Sequence, residues 1–339
     1  MDLFTKNSNK NSKPIKLKLP WVEKYRPSNL DDIILDSFIK EKINKIIETE
    51  NIPNLIVTGS SSTGKTSTVL FIANHIYKNE YSEYVLELNA SDDKGLPIIN
   101  NIIYPFCKKK KNKNKLVILD EADTITSKAQ NLLSNILSEF INTTRFIFIC
   151  NDCSQIIESI QSKCIIIKYP KIDKENLEKR IEYICKNENI YYNNEGLKTL
   201  LFVSMHDIRQ IINNLECIFY SLGSLTEENV YKLIDKPKIY YIDKIINNCF
   251  NKNFKNAINI INELCNKGYT PNDILLSIMK FLMDESKINK ENDYILNEED
   301  ILKIYDIISC SYIIVNDNID SNIQLLGCIA NIYLYIQEK

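Results

Sequence analysis

The chain has 339 residues, enough for two or three domains. Hydrophobic residues make up 44% and charged residues 25%, and the net charge of −2 excludes a molecule that is polycationic as a whole. No apolar run reaches the ~18–20 residues of a membrane span, so no membrane partner is expected, and any nucleic-acid contact must come from a local patch.

Residues 1–18 are polar and rich in Lys and Asn, and are expected to form a flexible tail rather than a signal peptide. From about Trp21 to Tyr169 short apolar runs alternate with segments of helical spacing. Leu55–Thr58, Tyr84–Asn89, Leu116–Asp120, Arg145–Asn151 and Cys164–Tyr169 are the predicted strands; Lys128–Phe140 is among the predicted helices between them. This alternation predicts an α/β domain: a parallel sheet with helices on both faces. The block Lys108–Lys115 interrupts it and is expected to be a solvated loop, because like charges favour water.

After Pro170 strands are expected to stop. Lys174–Asn187, Glu195–Ser204, Asp207–Ser221 and Glu227–Ile234 have helical spacing, with Thr226 as an N-cap. Pro237 marks a second break. Beyond it Tyr241–Phe250, Lys255–Asn266, Asn272–Asp284, Glu298–Asn316 and Ser321–Ile336 read as helices, and Lys287–Asn297 as a loop.

The chemistry centres on Gly59-Ser60-Ser61-Ser62-Thr63-Gly64-Lys65-Thr66, which fits the phosphate-binding pattern G-x-x-x-x-G-K-[ST]. An apolar strand precedes it and an amphipathic helix follows, so backbone N–H groups and a helix N-terminus would face a polyphosphate. The strand Leu116–Leu119 ends in Asp120-Glu121-Ala122-Asp123. Asp120 can hold a magnesium shell opposite Thr66, and Glu121 can polarise water for attack on a γ-phosphate. Asn151, ending the run Phe146–Cys150, can orient that water without adding charge.

The ten cysteines are scattered. Cys150 and Cys153 form a CxxC without a second pair, so they read as reduced thiols rather than a zinc site. Only four of the 42 basic residues are arginine: Arg26, Arg145, Arg180 and Arg209. Each is a candidate for planar phosphate recognition that lysine performs badly, Arg180 being the one expected merely to have persisted.

The order of these motifs resembles the AAA+ ATPases and, more narrowly, the small subunits of replication factor C, the sliding-clamp loader. The resemblance is carried by Trp21–Pro27, Gly59–Ser67, Leu86–Asp93, Leu119–Asp123, Thr143–Phe146, Cys150-Asn151, Ile156–Cys164 and Asp207–Gln210. It implies an AAA+ P-loop core over residues 19–169, a helical lid over 170–236 and a helical oligomerisation collar over 237–339. It further implies that Val22, Arg26, Ile34, the loop from Gly59 to Ser67 and Arg209 hold ATP. Thr66 and Asp120 would hold Mg2+, Glu121 would activate water, and Asn151 and Arg209 would be the two sensors. The implied partners are other subunits of a hetero-pentameric ring, a sliding clamp and primer–template DNA. The implied location is the nucleus in a eukaryotic cell, or otherwise the intracellular site of DNA replication.

The departures from that family are specific. Ser60 and Ser61 stand where prolines are usual. The trans-acting arginine finger is replaced by Lys163, which keeps the charge and loses the planar fork. A DNA-facing basic pair reads Ser134-Asn135, and the basic residues of the helix after Asp93 thin to Lys94. These changes predict slow hydrolysis at the neighbour's site and few DNA contacts. The alternatives are a nucleotide-binding structural subunit of the same ring, or another AAA+ DNA-processing ATPase.

Overall fold

The computed structural model describes residues 19–27, 29–91, 95–234, 237–283, 298–317 and 322–337. The expected tail, Lys94 and the expected loop 287–297 lie outside these residues. The chain divides into two compact units, Met1–Thr226 and Glu227–Lys339.

The first unit is built on β1 (Leu55–Gly59), β2 (Val85–Asn89), β3 (Lys115–Asp120), β4 (Thr144–Cys150) and β5 (Ile165–Tyr169). They form a five-stranded sheet in the order β2-β3-β4-β1-β5, with every pairing parallel. All five predicted strands are present, with ends shifted by a residue at most.

Helices cover both faces. On one face Leu55, Val57, Ile147, Ile149 and Ile167 pack with Ile39 and Ile43 of α2 (Ser37–Thr49) and Val69 and Ile72 of α3 (Lys65–Tyr77). On the other, Ile56, Val117, Leu119, Phe146 and Phe148 pack with Ala129, Leu133 and Leu137 of α4 (Ser127–Glu139). Burial on both faces is why the central strands β1, β3 and β4 are near-continuous apolar runs, whereas the edge strands β2 and β5 alternate in burial. Each such buried side chain contributes about 1.5–3 kcal/mol.

After β4 come α5 (Glu158–Gln161) and, beyond β5, α6 (Lys174–Asn187), α7 (Asn194–Val203) and α8 (Ile208–Leu222). α6 packs on α7 and α8. The short helix α1 (Trp21–Lys24) lies on α8: the Trp21 ring is 5.3 Å from that of Phe219, and the Trp21 backbone N–H donates to Glu216 at 2.9 Å.

Two expectations fail. Strands do not stop after Pro170, because Tyr191–Tyr192 pairs in parallel with Ser224–Leu225. These segments bracket α7 and α8, and a two-residue ladder is too short to leave a periodic signal. Nor is Lys115 solvated. It opens β3 at 1% exposure, and its Nζ donates to the carbonyls of Phe106, Cys107 and Lys109. Those carbonyls lie at the end of the helix Tyr104–Lys108, where helical N–H donors run out, although the Phe106 carbonyl also accepts from the Lys109 N–H at 3.3 Å. Three acceptors make burial of an ammonium tolerable, although burial lowers its pKa.

The second unit is helical: α9 (Glu227–Leu233), α10 (Ile239–Phe250), α11 (Phe254–Asn266), α12 (Pro271–Met283), α13 (Glu298–Asn316) and α14 (Asn322–Gln337). Its core joins Ile245 and Cys249 of α10, Ile261 and Leu264 of α11, Ile274 and Ile278 of α12, Ile308 of α13 and Leu325 and Ile329 of α14. No helix among the described residues is long and apolar enough to cross a membrane.

Candidate active site

The candidate residues gather at the carboxyl ends of β1, β3 and β4, the edge where open parallel sheets bind ligands. β1 runs directly into the P-loop. Gly59 is required by a close approach: a Cβ there would lie 2.5 Å from the Tyr169 carbonyl oxygen. Gly64 sits at φ 89° and caps α3, a left-handed conformation that favours glycine.

Lys65 opens α3 and is 7% exposed. Its Nζ donates to the carbonyls of Gly59 at 2.8 Å and Ser60 at 2.7 Å, and to Asn151 Oδ1 at 3.0 Å. Burial pushes the Lys65 pKa down, with the Asp120 carboxylate pulling the other way. The next residue, Thr66, donates its hydroxyl to Asp120 Oδ2 at 2.9 Å. The two expected metal ligands are thus already paired, and both are hard oxygen donors of the kind Mg2+ takes.

Glu121 has φ 53°, a left-handed conformation unusual for a non-glycine residue. Its exposed carboxylate lies beyond the end of β3, facing the cavity. Asn151 is positioned by a residue to which the sequence assigned no role. Asp123 Oδ2 accepts from the backbone N–H of Asn151 at 3.0 Å and of Asp152 at 3.4 Å. Asp123 therefore ties the turn after β3 to the turn after β4.

Between these turns and α6 and α8 lies a cavity of about 310 Å³. Ser61, Ser62, Thr63, Gly64, Lys65, Thr66, Ser67, Asp120, Glu121 and Asn151 give it a polar lining. Val22, Ile33, Ile34, Ile172, Ile208 and Ile212 add an apolar lining, suited to a base and sugar. Arg26, Arg180 and Arg209 also line it. Gly59 and Ser60 contribute through their carbonyls to Lys65 rather than as lining.

Asp207 holds α8 to the P-loop. Its Oδ1 accepts from the N–H groups of Arg209 at 2.9 Å and Gln210 at 3.2 Å, and its Oδ2 from Ser61 Oγ at 3.2 Å. That last bond needs the serine hydroxyl, which a proline would lack.

Residues 55–170 match the family described as ATPase family associated with various cellular activities (AAA), and residues 237–331 match the replication factor C C-terminal domain. The Saccharomyces cerevisiae replication factor C subunit 4 is 34% identical over 327 residues, covering 95% of this chain and 98% of the relative. The chain belongs to the replication factor C small-subunit family, the clamp-loader AAA ATPases. Replication factor C subunit 5 of Homo sapiens is 39% identical over 269 residues, covering 78% of this chain and 79% of the relative. An Acanthamoeba polyphaga mimivirus protein bearing the name of a replication factor C small subunit is 38% identical over 321 residues, covering 94% and 98%. The RuvB Holliday junction branch migration motor of Thermotoga maritima superposes with a TM-score of 0.52 over 66% of this chain and 78% of that one. At 15% identity it shares the fold alone.

Two residues sit differently from what the sequence suggests. Lys163 lies outside the cavity, after α5. Its Nζ donates to the Ser134 carbonyl at 2.9 Å, to Ser134 Oγ at 2.8 Å and to Ser138 Oγ at 2.8 Å. Ser134 itself is buried, so it turns inward to Lys163, while Asn135 is exposed. Arg180, expected merely to have persisted on a polar face, instead lines the cavity and donates to the Tyr25 carbonyl at 2.8 Å. The scarcity of arginine was the signal that marked it. All ten cysteines are free, and the described residues contain no cluster of metal-ligating side chains for zinc.

Proposed function

We propose that this ATPase binds ATP in the cavity beside the P-loop and couples its hydrolysis to the loading of a ring-shaped sliding clamp onto primer–template DNA. The observation that carries the reading is the meeting of Lys65, Thr66, Asp120, Glu121, Asn151 and Arg209 around one cavity, in a chain related over nearly its whole length to replication factor C subunits.

The polyphosphate lies over the loop from Gly59 to Ser67, against backbone N–H groups at the start of α3. Lys65 exchanges its bonds to the Gly59 and Ser60 carbonyls for the β- and γ-phosphates. Thr66 and Asp120 would hold Mg2+, which would supply Lewis-acid neutralisation of the phosphate charge. Glu121 takes a proton from the attacking water, and Asn151, fixed by Asp123, orients that water. Arg209, carried on α8, reaches the γ-phosphate and makes the position of the helical lid depend on the nucleotide. Val22, Arg26 and Ile34 enclose the base end.

The AAA+ core and lid comprise residues 19–236, and the helical region from 237 onward serves as the collar of a hetero-pentameric ring. Lys163 acts as the trans finger on the neighbouring subunit's ATP. The complex works where DNA is replicated, in the nucleus if the host cell is eukaryotic. With Ser134 turned inward, this subunit supplies few phosphate contacts to the duplex.

The test is co-expression with candidate ring partners and clamp, followed by DNA- and clamp-stimulated ATPase assays with Glu121→Gln as the control. Stimulated turnover lost in Glu121→Gln supports hydrolysis. Full turnover in that variant removes Glu121 from the mechanism. Failure to associate with any clamp removes the clamp-loading reading.

A further inference from the structure

We propose that Arg180 is a positioning residue for the base end of the nucleotide, acting through the backbone of Tyr25. The inference rests on the reading that the cavity holds ATP and adds to it a residue with no assigned role.

With the polyphosphate fixed at the P-loop, the wall formed by Val22, Tyr25 and Arg26 encloses the space left for the base. That wall is not part of the sheet. It is the end of α1 and the turn after it, and its anchors lie on α6 and α8. Trp21 N–H donates to Glu216 of α8 at 2.9 Å, and the Tyr25 hydroxyl and Lys24 ammonium both reach Glu188 at the end of α6. Among these anchors Arg180 is the one that also lines the cavity.

The Arg180 guanidinium makes two contacts. Nη2 donates to the Tyr25 carbonyl at 2.8 Å, and the group lies over the Tyr183 ring, 5.3 Å from its centroid. The Tyr25 carbonyl ends α1 and has no following helical turn to bond it. A lysine could reach that carbonyl but would bring no flat group to stack on Tyr183. This accounts for an arginine here in a chain whose other basic residues are nearly all lysine. Removing it frees the carbonyl and lets the base wall shift relative to the P-loop, which alters base recognition more than phosphate binding.

The test uses the full chain with fluorescent ATP and GTP analogues, comparing Arg180→Ala, Arg180→Lys and Lys65→Ala, each with a melting temperature. Arg180→Ala is expected to weaken ATP binding about tenfold and to bring the ATP:GTP affinity ratio towards unity. Arg180→Lys is expected to recover only part of both. A residue that merely stabilises the lid would lower the melting temperature and leave the ratio alone. An unchanged ratio in Arg180→Ala, with binding still abolished by Lys65→Ala, therefore overturns the positioning role alone. ATP binding that survives Lys65→Ala overturns the reading of the cavity itself.

Discussion

Thr66 Oγ and Asp120 Oδ2 stand 2.9 Å apart, joining the first turn of α3 to the end of β3 across 54 residues of sequence. In the proposed reading this hydroxyl and carboxylate would share one Mg2+. Asp120→Asn and Thr66→Ala are expected to raise the Mg2+ concentration needed for half-maximal ATPase by at least the ~10–100-fold that losing an outer partner of a metal ligand costs. A Mg2+ titration of turnover checks this. Unchanged dependence in Asp120→Asn would remove the pair from the metal site.

Asp207 makes three bonds that serve two purposes, capping α8 and holding Ser61 of the P-loop. Asp207→Ala is expected to cost about 1–2 kcal/mol of stability through the lost cap. It should also weaken ATP binding several-fold, because the helix that carries Arg209 is no longer tied to the loop. Thermal melts and nucleotide titration separate the two effects. A lower melting temperature with unaltered ATP affinity would reduce Asp207 to a cap.

Lys163 is held by three oxygens of α4 rather than extended from the surface. A true arginine finger is worth ~10³–10⁵ in rate. Lys163→Arg is expected to raise the ATPase rate of the assembled complex by about tenfold or more, and Ser134→Ala with Ser138→Ala to loosen the lysine and raise it less. The assay is steady-state turnover with clamp and DNA present. A rate unchanged by Lys163→Arg would mean that no ATP in the ring depends on this position.

Buried thiols are expected to weaken the fold at alkaline pH. Burial raises the pKa of Cys107 and Cys150 from the ordinary 9.0 to about 11, and those of Cys164, Cys185 and Cys249 to about 12. Unfolded thiols ionise near pH 9 while folded ones keep their protons. Their stabilising contribution is therefore complete below pH 9 and is lost as pH rises towards 11–12. Tyr77 and Tyr169, raised to about 12, act with the same sign above pH 10. Lys65 and Lys115 are lowered and oppose them, since folding releases their protons below pH 10.5. The thiols and phenols outnumber these two lysines. The melting temperature under reducing conditions is expected to fall from pH 9 upward, less steeply in Cys185→Ala. A flat profile between pH 8 and 10.5 would contradict this.

Much of the molecule was legible because its signals are local. A parallel sheet covered on both faces needs continuous apolar strands, and Leu55–Thr58, Leu116–Asp120 and Arg145–Asn151 announce themselves as such. The P-loop is one contiguous segment, so its spacing carries its chemistry. The paired strands at Tyr191 and Ser224 were missed because their partnership depends on where α7 and α8 bring the chain back. Lys115 was misread because charge alone says solvent, and only the carbonyls of Phe106, Cys107 and Lys109 make its burial tolerable.

By itself, the sequence determined the fold class, the phosphate loop and the acids at the end of β3, because each is encoded in residues a few positions apart. Only the tertiary structure decided what Asp123, Arg180, Asp207 and Lys163 touch. Their partners lie 28, 155, 146 and 29 residues away, and a hydrogen bond across such a separation is set by the packing of whole elements rather than by any local pattern.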